Sequence, residues 1–117
     1  MRVLLLDDNR ELGEFLVSVL NESGVDAVFA ASPDAAVARF QEERFDGFVV
    51  DSTLDEADGV GIAERVRAAK FGKGVPVLLM SAITTSLARR IAQASNCHFI
   101  AKPFGMTEFV EQVRALR

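Results

Sequence analysis

Five short apolar runs, each followed by a stretch whose apolar residues recur at helical spacing, limit what this chain of 117 residues can fold into. The runs cover residues 3–6, 25–31, 48–50, 75–80 and 99–101, all of strand length. The second is diluted by Asp26 and several alanines, and the fourth carries Pro76 near its start, where a missing donor is tolerated. Between them, Leu12, Phe15, Leu16, Val19 and Leu20 share one helical face, as do Ala36, Val37 and Phe40, then Ile62 and Val66, then Leu87 and Ile91. Met106, Phe109, Val110, Val113 and Leu116 make the last amphipathic helix.

The punctuation agrees with this alternation. Asn9 is placed to cap the first helix and Gly24 to stop it; Ser32-Pro33 supplies a capping hydroxyl and a first-turn proline for the second. An acidic loop is expected over residues 54–58, with Gly59 opening the third helix and Gly72 or Gly74 closing it. The fourth helix is expected to open over residues 84–86 and to end near Asn96, a residue that tolerates a left-handed cap. Strands apolar on both faces and alternating with helices predict a parallel sheet covered on each side, an α/β doubly wound domain. Right-handed crossovers leave few topologies, and strand order 2-1-3-4-5 would put a switch point between strands one and three. The expectation is a single domain over residues 1–117 with five strands and five helices.

In such a sheet every strand's carboxyl end lies on one edge, and ligands sit outside the switch point. Reading the residue that follows each apolar run gives Asp7 and Asp8, then Asp51, then Ser81, then Lys102. Taken alone, Asp51 reads as a turn former or a helix cap before it reads as a reactive group, and Asp7-Asp8 as capping residues. Brought together, three carboxylates repel one another, so without a counter-charge at least one should hold its proton more tightly or the site should lose stability. A hard divalent cation resolves this, and Mg2+ suits oxygen ligands with several waters retained. Lys102 offers a fixed positive charge and Ser81 a donor to an anion arriving at the same place, and the anion implied is a phosphoryl group.

Composition excludes more than it selects. The formal charge of -4 argues against bulk attraction to nucleic acid or to an anionic membrane, and Arg89-Arg90 reads as a solvated helix face. The N-terminal apolar run is too short for a signal peptide or a membrane span, so a cytoplasmic protein is expected. Cys97, the lone cysteine, reads as a small buried hydrophobe, and the single His98 beside it as exposed.

Taken together, the acidic pair Asp7-Asp8, Asp51 with Gly59 after it, Ser81-Ala82, and Lys102-Pro103-Phe104 resemble the receiver domains of two-component response regulators, over the whole chain. The resemblance implies a flavodoxin-like, CheY-like fold and a signalling module rather than an enzyme. Asp51 would accept a phosphoryl group from a sensor histidine kinase or phosphotransfer protein in a Mg2+-dependent reaction. Asp8 and Asp51 would hold the metal directly with the Thr53 backbone carbonyl, and Asp7 mainly through water. Lys102 would pair with Asp51 or the phosphoryl group, held by a cis Lys102-Pro103 bond. Ser81 would move toward the phosphoryl oxygens and Phe99 would swing inward behind it, changing the helix 4, strand 5, helix 5 face. From the sequence alone Phe99 is equally an ordinary core aromatic. Output would pass to a downstream protein, a fused output domain or a phosphorylation-dependent dimer, the chain being a single-domain regulator or the N-terminal part of a longer one.

Three positions depart from the pattern. Asp55 stands where the family usually has proline, Asn96-Cys97 replace a small pair before the last strand, and Ile83 stands where a polar residue often orients the hydrolytic water. Ile83 is expected to slow loss of the phosphoryl group. These departures keep open an interaction module of the same fold that takes no phosphate. A phosphatase working through an aspartyl phosphate would want a second Asp where Thr53 stands, and a flavin site would meet repulsion from Asp7-Asp8.

Overall fold

The computed structural model describes the backbone of residues 1–52, 56–82 and 86–117, and the side chains of these except at 52, 56–58 and 87–88. Thr53, Leu54, Asp55, Ile83 and Thr84, to which the sequence assigns a carbonyl ligand, loop residues and a helix start, lie outside them. Strands and helices alternate: β1 Arg2–Leu6, α1 Arg10–Glu22, β2 Asp26–Ala30, α2 Pro33–Glu42, β3 Gly47–Ser52, α3 Glu56–Arg67, β4 Val77–Ser81, α4 Ser86–Ala94, β5 His98–Ala101 and α5 Met106–Arg114. The sheet is parallel throughout and ordered β2-β1-β3-β4-β5, as the crossover rules predict.

Each strand sends alternate residues to opposite faces, and two cores result. Leu4, Leu6, Phe48, Val50, Val77 and Leu79 pack under α2, α3 and α4 with Phe40, Val66 and Ala92. Val3, Leu5, Val49, Leu78, Met80 and Ile100 pack under α1 and α5 with Leu16, Leu20, Phe109 and Val113. The caps form as the sequence predicts: Asn9 accepts from the Leu12 N–H at 3.1 Å, and Ser32 from the Ala35 N–H at 3.1 Å ahead of Pro33. Asn96 takes φ 55 at the end of α4, the left-handed cap expected of it.

Two boundaries differ. Helix α3 starts at Glu56, so residues 56–58 belong to the helix and Gly59 lies buried within its first turns. Acidic side chains are favoured at a helix N-terminus, where the backbone dipole is positive, so the acids that read as a loop open the helix. At the other end α3 stops at Arg67, and residues 68–74 turn back beneath it through bonds such as Gly72 N–H to Ala69 O at 3.1 Å. Strand β4 begins at Val77 because Val75 N–H is spent on Gly72 O at 3.1 Å and Pro76 has no donor. The Pro76 carbonyl still accepts from Phe48 N–H at 2.9 Å.

Arg67 closes the gap that α3 leaves. Its guanidinium donates to the Val75 carbonyl at 3.2 Å, to Ser95 at 2.8 Å and to Asn96 at 2.8 Å, so one side chain satisfies the carbonyls that follow α4. Cys97 lies buried beside it, and His98 is exposed. Among the described residues no helix is long and apolar enough to cross a membrane.

Candidate functional site

The site forms where β1, β3, β4 and β5 end together. The register pairs Leu6 with Val50, Asp51 with Met80, and Ser81 with Ala101, so the residues one step beyond these strands share one edge. Asp7 follows β1 directly and is 1% exposed; Asp51 is the fifth residue of β3 and 9% exposed; Ser81 ends β4 fully buried. Asp8, next along, is exposed. Oxygens of Asp7, Asp8 and Asp51 lie within 4.8 Å of one another. The three carboxylates expected from the strand ends are therefore one cluster.

Lys102 reaches that cluster from the far side. Its N–H donates to the Ser81 carbonyl at 2.7 Å, extending the β4–β5 ladder past Ala101, and its Nζ donates to Asp51 Oδ1 at 2.5 Å. The Lys102-Pro103 bond is cis, and Phe104 stacks on Phe109 of α5 with ring centroids 5.2 Å apart. That stacking anchors the loop in the α1–α5 core, so the ammonium is delivered from a fixed backbone.

Charge in the cluster is not balanced among the described residues. Asp7 Oδ1 accepts from Asn9 N–H at 2.9 Å, whereas Asp7 Oδ2 is buried without a hydrogen-bond partner among the described residues. Burial pushes the Asp7 carboxyl up to about 6 from an ordinary 3.8; the Asn9 N–H opposes this, the negative charge of Asp51 adds to it, Lys102 opposes it, and Asp8 adds to it. Among the described residues, three carboxylates share one ammonium. An orphaned buried oxygen beside two further carboxylates is the donor set a small hard divalent cation requires, so the residues present fit Mg2+.

Phe99 sits on β5 opposite Leu79, half-buried against the α2–α3–α4 core. The guanidinium of Arg89, on α4, lies over its ring at 5.1 Å from the centroid. The sequence alone leaves Arg89 solvated, because spacing within α4 says nothing about a ring ten positions further on, in another element. Gly13 is a second silent position. A Cβ there would lie 2.9 Å from Phe29 Cδ1 and 3.1 Å from Asp7 Cβ, so its bare backbone lets the Phe29 ring and the start of the acidic loop close together. The available signal is a glycine placed inside a helix, where it costs stability and therefore marks a close approach.

Comparison with known proteins agrees with this geometry. Residues 3–114 match the model of the response regulator receiver domain. The transcriptional regulatory protein TctD of Salmonella typhimurium is 34% identical over 99% of this chain and 51% of its own length, and the response regulator MprA of Mycobacterium avium is 29% identical over 99% and 50%. The chain thus spans about half the length of the curated relatives it matches. Among solved structures, the chemotaxis protein CheY4 of Vibrio cholerae superimposes with TM-score 0.87 at 22% identity, covering 99% of this chain and 98% of that one. The receiver domain of the sensor histidine kinase PA1611 of Pseudomonas aeruginosa, solved with a magnesium ion in its active site cleft, superimposes with TM-score 0.80 at 24% identity, covering 97% and 93%. With the parallel order, the acidic edge and the match over residues 3–114 in agreement, this chain belongs to the response regulator receiver domain family of two-component signalling.

Proposed function

We propose that this domain receives a phosphoryl group on Asp51 from a histidine kinase or phosphotransfer protein and passes the change to a downstream protein or a fused output domain. The observation that carries this reading is the Lys102 Nζ to Asp51 Oδ1 contact of 2.5 Å beside the Asp7-Asp8 pair. A carboxylate already held by a fixed ammonium can present an oxygen to phosphorus without losing its place. That oxygen bonds to the phosphorus of a phosphohistidine or acetyl phosphate, the bond from phosphorus to the donor breaks, and the donor leaves with the electron pair. A mixed carboxylic-phosphoric anhydride remains on Asp51.

Mg2+, held by Asp8, Asp51 and the Thr53 carbonyl with Asp7 through water, would neutralise the phosphoryl oxygens as charge spreads over them. The chain's own residues then orient the product: Lys102 pairs with a phosphoryl oxygen, and the Ser81 hydroxyl donates to another. Ser81 and Phe99 point to the same side of the sheet as α4, since Leu79, one step before the first in phase, and Phe99 both pack in that core. Movement of Ser81 toward the phosphoryl group would free room for Phe99 to turn inward and change the α4–β5–α5 face.

The test is direct. The protein incubated with magnesium and acetyl phosphate should gain the mass of one phosphoryl group, Asp51→Asn should gain none, and removal of magnesium with chelator should suppress the gain in the parent. A parent that stays unmodified with magnesium present would leave the fold as an interaction module without phosphate chemistry.

A further inference from the structure

Phe99 is neither locked in the core nor free in solvent. One side of its ring packs against the α2–α3–α4 core, and the other lies under the Arg89 guanidinium, 5.1 Å from the centroid. Beside it a cavity of about 240 Å³ opens between α4 and β5, lined by Arg89, Ala92, Gln93, Cys97, His98 and Phe99 itself. A pocket of about 150 Å³ takes a benzene ring, so the phenyl group has room to reorient without breaking the strand. None of these lining residues is acidic, and no ion pair for Arg89 occurs among the described residues. The aromatic face is therefore the partner its charge finds among the described residues.

We propose that Arg89 is a positioning residue that grips the Phe99 ring in its outer place and so sets how readily the domain adopts its phosphorylated conformation. The proposal rests on the reading of Asp51 as phosphoacceptor and of Phe99 as the element that moves. A contact made only in the outer state favours that state by its own strength, and whatever favours the outer state opposes the other to the same degree. An exposed cation over an aromatic face is weak, so the grip should bias the equilibrium about two- to fivefold and not hold it absolutely. The guanidinium is planar and stacks on a ring, whereas the ammonium of lysine is a compact and more strongly hydrated charge, so Arg89→Lys should keep part of the effect and Arg89→Met none of it.

The chain contains no Trp and no Tyr, so Phe99→Trp installs a single fluorophore at the position in question. Without phosphodonor, its emission should move to shorter wavelength when Arg89→Met is added, with Arg89→Lys intermediate. In the Arg89-containing protein the same movement should require magnesium and beryllofluoride. On the otherwise unaltered background, Arg89→Met should take up phosphoryl from acetyl phosphate about two- to fivefold faster than the parent. Identical emission in the three proteins together with identical labelling rates would overturn the proposal. Absence of labelling in every protein would instead overturn the phosphoacceptor reading, and the emission comparison made without phosphodonor would still decide for or against the grip.

Discussion

In magnesium-free buffer at neutral pH, Asp7→Asn should be more stable than the parent by about 3 kcal/mol. The carboxyl of Asp7 ionises at about 6 in the folded chain against an ordinary 3.8, and each pH unit of such displacement is worth about 1.4 kcal/mol. A carboxyl raised on folding binds its proton more tightly in the native than in the unfolded state, so the native state is penalised as pH rises. The penalty is absent below about 3.8, grows between there and about 6, and is complete above. Asparagine carries no charge to desolvate and keeps an oxygen for the Asn9 N–H, so the variant should show no such slope. Urea unfolding with chelator, repeated from about pH 4 to about pH 8, measures both curves, and parallel curves would refute the argument. Saturating magnesium should narrow the gap, because a cation that binds the folded acidic cluster stabilises the parent by mass action.

Gly72→Ala should destabilise the fold by about 3 kcal/mol or more, although Gly72 touches no part of the acidic edge. A methyl group there would be driven into the carbonyl of Val66, 2.7 Å from its carbon and 3.4 Å from Arg67 Cα. These are backbone atoms at the last turn of α3, which cannot step aside as a side-chain tip could. The loop cannot move either, since Gly72 O accepts from Val75 N–H at 3.1 Å and Phe71 N–H donates to Phe40 O at 2.8 Å. Gly61→Ala is the matching control within α3, where a Cβ meets nothing within 4 Å. It should stabilise by about 0.5–1 kcal/mol, through the loss of unfolded-chain freedom and better helix propensity. Chemical unfolding of the three proteins side by side, with equal stability of Gly72→Ala and the parent as the refuting result, checks both signs.

How much could be read in advance follows from which forces act locally. The sheet order and the meeting of Asp7, Asp8, Asp51 and Lys102 were readable because strand carboxyl ends are forced to one edge by parallel pairing, whatever the side chains are. The caps at Asn9, Ser32 and Asn96 were readable because each is settled within four residues. The start of α3 was misread because acids serve a loop and a helix N-terminus equally well in sequence. Arg89 over Phe99 and the slot at Gly13 depend on contacts between separate elements; a glycine inside a helix hints at the second, but no local pattern names the ring that either one meets. The roles assigned to Thr53 and Ile83 concern residues outside those described.

The clasp of Arg67 holds the C-terminal end of α4. Its nine residues span about 13 Å, and beyond the C-terminal end Ser95 and Asn96 are bound by charge-assisted hydrogen bonds to a guanidinium rooted in α3. Unravelling from that end would strip carbonyl acceptors from a half-buried cation, so α4 cannot fray there without loosening the last turn of α3 as well. If Asp51 is phosphorylated as proposed, a push on α4 from the Ser81 side would meet a helix held at its opposite end, and would turn the helix instead of sliding it. Under that proposal, small displacements at the carboxyl edge of the sheet would become an angular change of the α4 surface, with α3 as the frame that bears the load.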